Sequence, residues 1–161
     1  MAIYPVDILN AVKTTLSGSS NLSYVDTFEI QKYSHENMPD FTGYCLVVSL
    51  NTANTEFYDI AHRWFVLEVE IVALAKIGSR SETDAMVANS PPTNVGIVTM
   101  YQDVFNTLYG NNLGGVLELY PRLDELDGEA RFDILEDEME SFIVEARISY
   151  RPRGQRWVDL S

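Results

Sequence analysis

The apolar residues Val6, Leu9, Val12 and Leu16 recur at helical spacing behind Pro5, whose fixed φ and missing N–H suit a first helical turn. Ser17-Gly18 interrupts the pattern, which predicts a helix over residues 5–16. Two extended segments follow: 24–33 alternates loosely through Val25, Phe28 and Ile30, and 44–50 is a short continuous apolar run. The clearest period of two runs over 64–76. It sets Phe65, Leu67, Val69, Ile71, Ala73 and Ala75 against Glu68, Glu70 and Lys76, which predicts a long strand with one buried face.

Residues 78–94 (GSRSETDAMVANSPPTN) carry turn-formers, two adjacent prolines and no period, so a long loop is expected there. Thr93 or Asn94 can cap a second helix over 95–109, with Ile97, Tyr101, Val104, Phe105 and Leu108 on one stripe and Gly110 ending it. Strands are expected at 116–123, at 130–135 beyond a turn at Asp127-Gly128, and at 142–150. In the last of these Phe142, Val144, Ala146, Ile148 and Tyr150 alternate with Glu145, Arg147 and Ser149. The order α-β-β-β-α-β-β-β predicts an α+β fold, an antiparallel or mixed β-sheet packed against two α-helices, with an additional acidic β-hairpin region. At 161 residues the chain can hold one sizeable core, and a single domain over 1–150 is expected.

Charge changes the picture most between residues 118 and 140. Ten carboxylates fall there (Glu118, Asp124, Glu125, Asp127, Glu129, Asp133, Glu136, Asp137, Glu138, Glu140) against Arg122 and Arg131. Leu119, Leu123, Leu126, Phe132, Ile134 and Leu135 recur among them, so the stretch is expected to fold with one strongly anionic face. The whole chain carries a formal net charge of -13. That excludes nonspecific attraction to polyanions, whose binding draws on Lys and Arg releasing counterions. A lone Cys45 excludes an intrachain disulfide and a multi-Cys metal site, and its apolar surroundings make it a buried thiol. The first residues lack a basic region followed by an apolar core, and no window approaches the roughly 20 apolar residues of a membrane span. A cytoplasmic chain without membrane contact is expected.

Candidate chemistry is thin. The turn 110–115 (GNNLGG) follows a helix and lacks the Lys-Ser/Thr ending of a phosphate loop, so it reads as a helix stop and turn. Asp59 and His62 could share a helical face, and His35-Glu36 with Asp40 offers mixed donors, but metal sites need three or four converging groups. Carboxylates such as Glu136, Asp137 and Glu138 sit in an exposed run, which does not raise a pKa for acid catalysis. No catalytic residue, cofactor or metal is expected, and an enzyme is the least favoured class. The C-terminal segment 151–161 reverses the charge with Arg151, Arg153 and Arg156 and ends in Trp157, Val158 and Leu160; Pro152 and Gly154 predict that it leaves the domain as a basic, aromatic arm.

An opening amphipathic helix (3–16), paired strands ending in a long alternating one (64–76), a long polar loop, a second helix (95–109) and a closing strand (142–150) together resemble the tail-terminator, or tail-completion, proteins of long-tailed bacteriophages. The resemblance implies a virion protein of the tail and neck, assembled in the host cytoplasm. It implies a ring of identical subunits, a hexamer in that family, that caps the tail tube, contacts tail-tube and head-tail connector proteins, and lets double-stranded DNA pass through its lumen. The acidic β-region departs from the plain family pattern. Like charge along a DNA conduit repels the polymer and lets it slide, which makes Asp124, Glu125, Asp127, Glu136 and Asp137 the candidate lumen-facing residues. Mobile loops on a rigid scaffold commonly carry contacts, so Arg80, Glu82, Asp84 and Met86 are candidates for gripping the tube or a neighbour, and deleting 80–88 is expected to leave the domain folded. Arg151, Arg153, Arg156 and Trp157 are candidates for reaching the acidic face of another copy. Two other classes stay open: a tail-tube or head-tail connector subunit, and an acidic module that mimics DNA to occupy a basic target.

Overall fold

The computed structural model describes residues 3–60, 62–117, 131–136, 142–154 and 157–158. In chain order the elements are α1 (Pro5–Ser17), β1 (Thr27–Ile30), β2 (Tyr44–Asp59), β3 (His62–Lys76), α2 (Glu82–Val87), β4 (Asn89–Ser90), β5 (Asn94–Val95), α3 (Ile97–Leu108), β6 (Arg131–Glu136), β7 (Phe142–Tyr150) and β8 (Trp157–Val158). The fold is α+β. A mixed sheet runs β1-β2-β3-β7-β6, with β8 pairing β3, and β4 and β5 form a second, two-stranded sheet. β1 joins β2 in parallel, while the β2–β3, β3–β7 and β6–β7 pairs are antiparallel.

Alternation along the strands builds two cores, one on each side of the sheet. Leu46 and Val48 of β2, Leu67, Val69, Ile71, Ala73 and Ala75 of β3, and Val144, Ala146, Ile148 and Tyr150 of β7 face α1 and α3. α1 answers with Ile8, Val12 and Leu16, and α3 with Ile97, Met100, Val104 and Leu108. The spacing of four in α1, and of three then four in α3, brings these side chains onto one stripe of each helix. Val6 is exposed, and Tyr101 and Phe105 flank the α3 stripe instead of lying at its centre. Gly96, with no side-chain cap, begins α3 in place of Thr93 or Asn94.

The far side of the sheet is buried too, which corrects the expectation of one buried face for β3. Val72 and Leu74 join Cys45, Val47 and Ile143 beneath Tyr33, Met38 and Phe41, contributed by the connection between β1 and β2. Asp26 fastens the end of that connection: its carboxylate accepts from the backbone N–H groups of Thr42, Gly43 and Tyr44 and from the Thr27 hydroxyl at 2.7–3.2 Å. Burial pushes the Asp26 carboxyl up, but these donors outweigh it and hold it below its ordinary pKa. Burial, with Asp26 and Glu29 nearby, pushes the Cys45 thiol up to about 12, so it stays protonated and inert.

Two further expectations change. β2 does not stop at Leu50; the polar run 51–59 continues it as a hairpin with β3 that extends past the ends of β1 and β7. Asp59 and His62 are therefore cross-strand neighbours at the hairpin tip, not members of a helical face. The segment after β7 does not depart at Pro152. It turns back onto the free edge of β3: the Leu67 N–H donates to the Pro152 carbonyl, the Gly154 N–H donates to the Phe65 carbonyl, and Trp157 and Val158 pair with Arg63 and His62. Of the acidic region, 131–136 forms edge strand β6; the expected turn at Asp127-Gly128 lies outside the described residues.

Candidate functional site

The expected loop 78–94 is a folded lobe. Ser81 caps α2 by accepting the Asp84 N–H, and Ala85 is fully buried. Gly96 lies so close to this turn that a Cβ on it would sit 2.5 Å from the backbone of Met86 and Val87. The Thr99 hydroxyl donates to the Ala88 carbonyl at 2.9 Å, binding the lobe to α3. Arg80 turns inward. Its guanidinium donates to the carbonyls of Lys76 (2.6 Å), Val95 (2.7 Å) and Ile77 (3.3 Å) and lies over the Tyr44 ring. The Tyr44 hydroxyl accepts the Val95 N–H and donates to the Thr93 carbonyl. Arg80 thus closes the lobe onto the end of β3, while Glu82 and Asp84 stand exposed on α2 and Met86 packs partly against the core. Removal of 80–88 takes away buried Ala85 and the Arg80 clamp, so the expectation that the domain survives that deletion is withdrawn.

The arginines of the C-terminal segment divide. Arg153 forms an ion pair with Glu56 at 3.0 Å and stacks over Trp64 at 4.6 Å, engaging its own hairpin. Arg151 is exposed, with Glu68 at 3.9 Å. Arg156 lies outside the described residues, as do Asp124, Glu125, Asp127 and Asp137; Glu136 ends β6 and Trp157 begins β8, and neither side chain is described.

One polar cluster escaped the sequence reading. Glu145, 1% exposed, sits on the second face of β7. Its Oε2 accepts the Tyr33 hydroxyl at 2.5 Å and lies 3.2 Å from His35 Nε2, and its Oε1 accepts Arg147 Nε at 2.9 Å. Arg147 also pairs with Glu70 at 3.2 Å and covers the Tyr33 ring, and Ser49 accepts the Tyr33 backbone N–H. Burial raises the Glu145 pKa, but the Tyr33 hydroxyl and the Arg147 guanidinium outweigh it, and the carboxyl is held below its usual range. Burial and the Glu145 hydrogen bond push the Tyr33 hydroxyl well above its ordinary value. An ionised carboxylate locked by donors and a phenol that cannot ionise near neutrality make a closed brace, not an acid–base pair. The brace ties the connection before β2 to β7.

On the other face, the Tyr24 hydroxyl donates to Asp103 at 2.8 Å, and burial raises both pKa values. The turn 110–115 satisfies itself: the Leu113 and Gly115 N–H groups donate to Asn111 and Asn112. Among the described residues no three His, Cys, Asp or Glu side chains converge as metal ligands, and no helix is long and apolar enough to cross a membrane. Against known proteins, the chain matches no family model and no curated sequence is significantly similar to it.

Proposed function

We propose that this protein is a structural subunit of a phage tail, a tail terminator that closes into a ring on the end of the tail tube and passes DNA through an acidic lumen. The observation that carries the reading is the concentration of carboxylates in one stretch anchored to the edge of a rigid sheet. Ten of the chain's 24 acidic residues lie within 118–140. Asp133 of that stretch stands exposed on β6, which is held by β7 and through it by β3. A DNA duplex moving past such an edge finds a large excess of like charge, ten carboxylates against Arg122 and Arg131, so it is repelled instead of held.

The role needs a scaffold rather than a reactive centre, and the buried polar clusters described above brace the fold. Asp26, Arg80, Glu145 and Arg147 each join segments far apart in sequence. The test is the mass of the purified protein by light scattering, alone and mixed with tail tubes, followed by imaging of the tubes. A closed ring, or a monomer that assembles only at tube ends, is the expected result. Continued growth into a tube would make it a tube subunit, and a small species that ignores tubes but binds a basic protein would make it a DNA mimic.

A further inference from the structure

An acidic chain meets another copy of itself against electrostatic repulsion, so self-contact must use the parts of its surface that carry little net charge. Two such parts are exposed and apolar. The first is the outer flank of α3 with the same-side residues of β6 and β7. Between Thr93 and Leu117 the sole charged side chain is Asp103, and that one is hydrogen-bonded to Tyr24. On this flank Tyr101, Phe105 and Tyr109 climb α3 at intervals of four, with Phe105 and Tyr109 stacked at 5.3 Å. Phe132 meets Tyr101 edge-on at 5.9 Å. Phe132 and Ile134 face Ala146 and Val144 across the β6–β7 pair, so they stand on the helix side of the sheet; Tyr109 and Ile134 are among the exposed large apolar residues. Asp133, opposite Glu145, belongs to the other side.

The second part is the tip of the β2–β3 hairpin. Phe57 is 67% and Ile60 94% exposed, beyond the strands that shelter the rest of the sheet. Its formal charges cancel, Glu56 and Asp59 against Arg63 and Arg153: Glu56 is paired with Arg153, and the Arg63 guanidinium lies 5.0 Å over the Phe57 ring. One part is a broad aromatic flank and the other a projecting apolar knob. A head-to-tail ring requires two different surfaces on each subunit, one for each neighbour.

We infer that the hairpin tip of one copy, through Phe57 and Ile60, seats on the aromatic flank of α3 and β6 of the next copy. The inference rests on the ring reading for its need of two unlike surfaces. A basic partner would instead seek the carboxylates, and its binding would weaken with salt. Contact between two acidic copies through faces of little net charge strengthens as salt screens their repulsion.

The experiment is sedimentation of the full chain at low and high salt, with a tip variant (Phe57→Ser with Ile60→Ser) and a flank variant (Tyr109→Ser with Ile134→Ser). Both change exposed side chains, and an unchanged urea midpoint checks that each still folds; Ile60→Ser or Tyr109→Ser alone replaces a double variant that does not. The wild type is expected to associate beyond a dimer, more strongly at high salt, and each variant alone to remain a monomer. An equimolar mixture of the two should stop at a one-to-one dimer, because it holds one intact tip and one intact flank. A wild type that stays monomeric at both salts, a tip variant that assembles like the wild type, or a mixture that stays monomeric overturns the inference. Tube capping separates the two readings. Rings that form by this contact yet ignore tubes overturn the terminator role and leave the contact standing, whereas tubes capped equally by the tip variant overturn the contact and leave the role.

Discussion

Glu145 is a buried charge that stays buried because Tyr33, Arg147 and His35 converge on it. Removing one partner of such a group leaves the others desolvated and unpaired, which costs more than the net worth of the contact. Glu145→Ala should therefore lower unfolding free energy by about 3 kcal/mol, and Tyr33→Phe by about 1 kcal/mol, measured as shifts in urea midpoint. The pH dependence follows from the sign of the shift. A carboxyl whose pKa is lower in the folded chain stabilises it above the unfolded value, near 4.3 for Glu, and that stability is lost as pH falls through the folded value. Glu145 and Asp26 share this sign, while Asp103, raised by burial, has the opposite one. Acid unfolding of Glu145→Gln should accordingly be shallower below the unfolded carboxyl value, whereas that of Asp103→Asn should be steeper just above it, between the unfolded and the raised folded value. The alternation in 142–150 correctly sets Glu145 apart from Val144 and Ala146. What alternation does not reveal is that Tyr33 and His35, more than a hundred residues away, cover that face.

At the scale of elements, strong periodicity was readable and borrowed order was not. The helix expected at 5–16 is α1, the one at 95–109 contains α3, and 142–150 is β7. Each carries enough apolar residues on one side to declare its period. The far half of β2 (NTANTEFYD) carries no such signal and is a strand because β3 hydrogen-bonds it along its length. Likewise, Pro152 and Gly154 break the pattern after β7, yet the free edge of β3 offers backbone partners that recapture the chain. The lobe 78–96 was opaque because its order comes from contacts without a period, the Arg80 clamp, the Tyr44 and Thr99 hydroxyls and the close approach at Gly96. Gly96 has an ordinary φ of -83°, so its requirement is space rather than conformation. Gly96→Ala should destabilise by about 2–3 kcal/mol because the obstructing atoms are backbone and cannot rotate away. Arg80→Ala strands the carbonyls of Lys76 and Val95 and should cost about 2 kcal/mol. Proteolysis after either change should cut first within 78–96, which would identify the lobe as the part released.

For the molecule as a whole, the net charge of -13 is a cost to the compact state through self-repulsion, and the proposed conduit would give that charge a use. If the acidic stretch were an accident of composition, neutralising it would change stability and nothing else. If it lines a conduit, the same change should separate two properties that usually fall together. Replacing Asp124, Glu125, Asp127, Glu136 and Asp137 by Asn and Gln removes five negative charges at positions that belong to neither α1, α3, the Arg80 clamp nor the Glu145 brace. Self-repulsion falls, so the variant should melt higher than the wild type at low ionic strength, and the difference should shrink as salt screens both proteins. Particles carrying it should assemble with normal tails. They should nevertheless eject DNA more slowly, because a neutral wall no longer repels the phosphates that Arg and Lys elsewhere on the ring attract. Ejection kinetics from purified particles, read by dye accessibility of the released DNA, measure this directly. A more stable variant with wild-type ejection would leave the carboxylates a role on the outside of the ring, while slowed ejection from intact tails places them where the DNA runs.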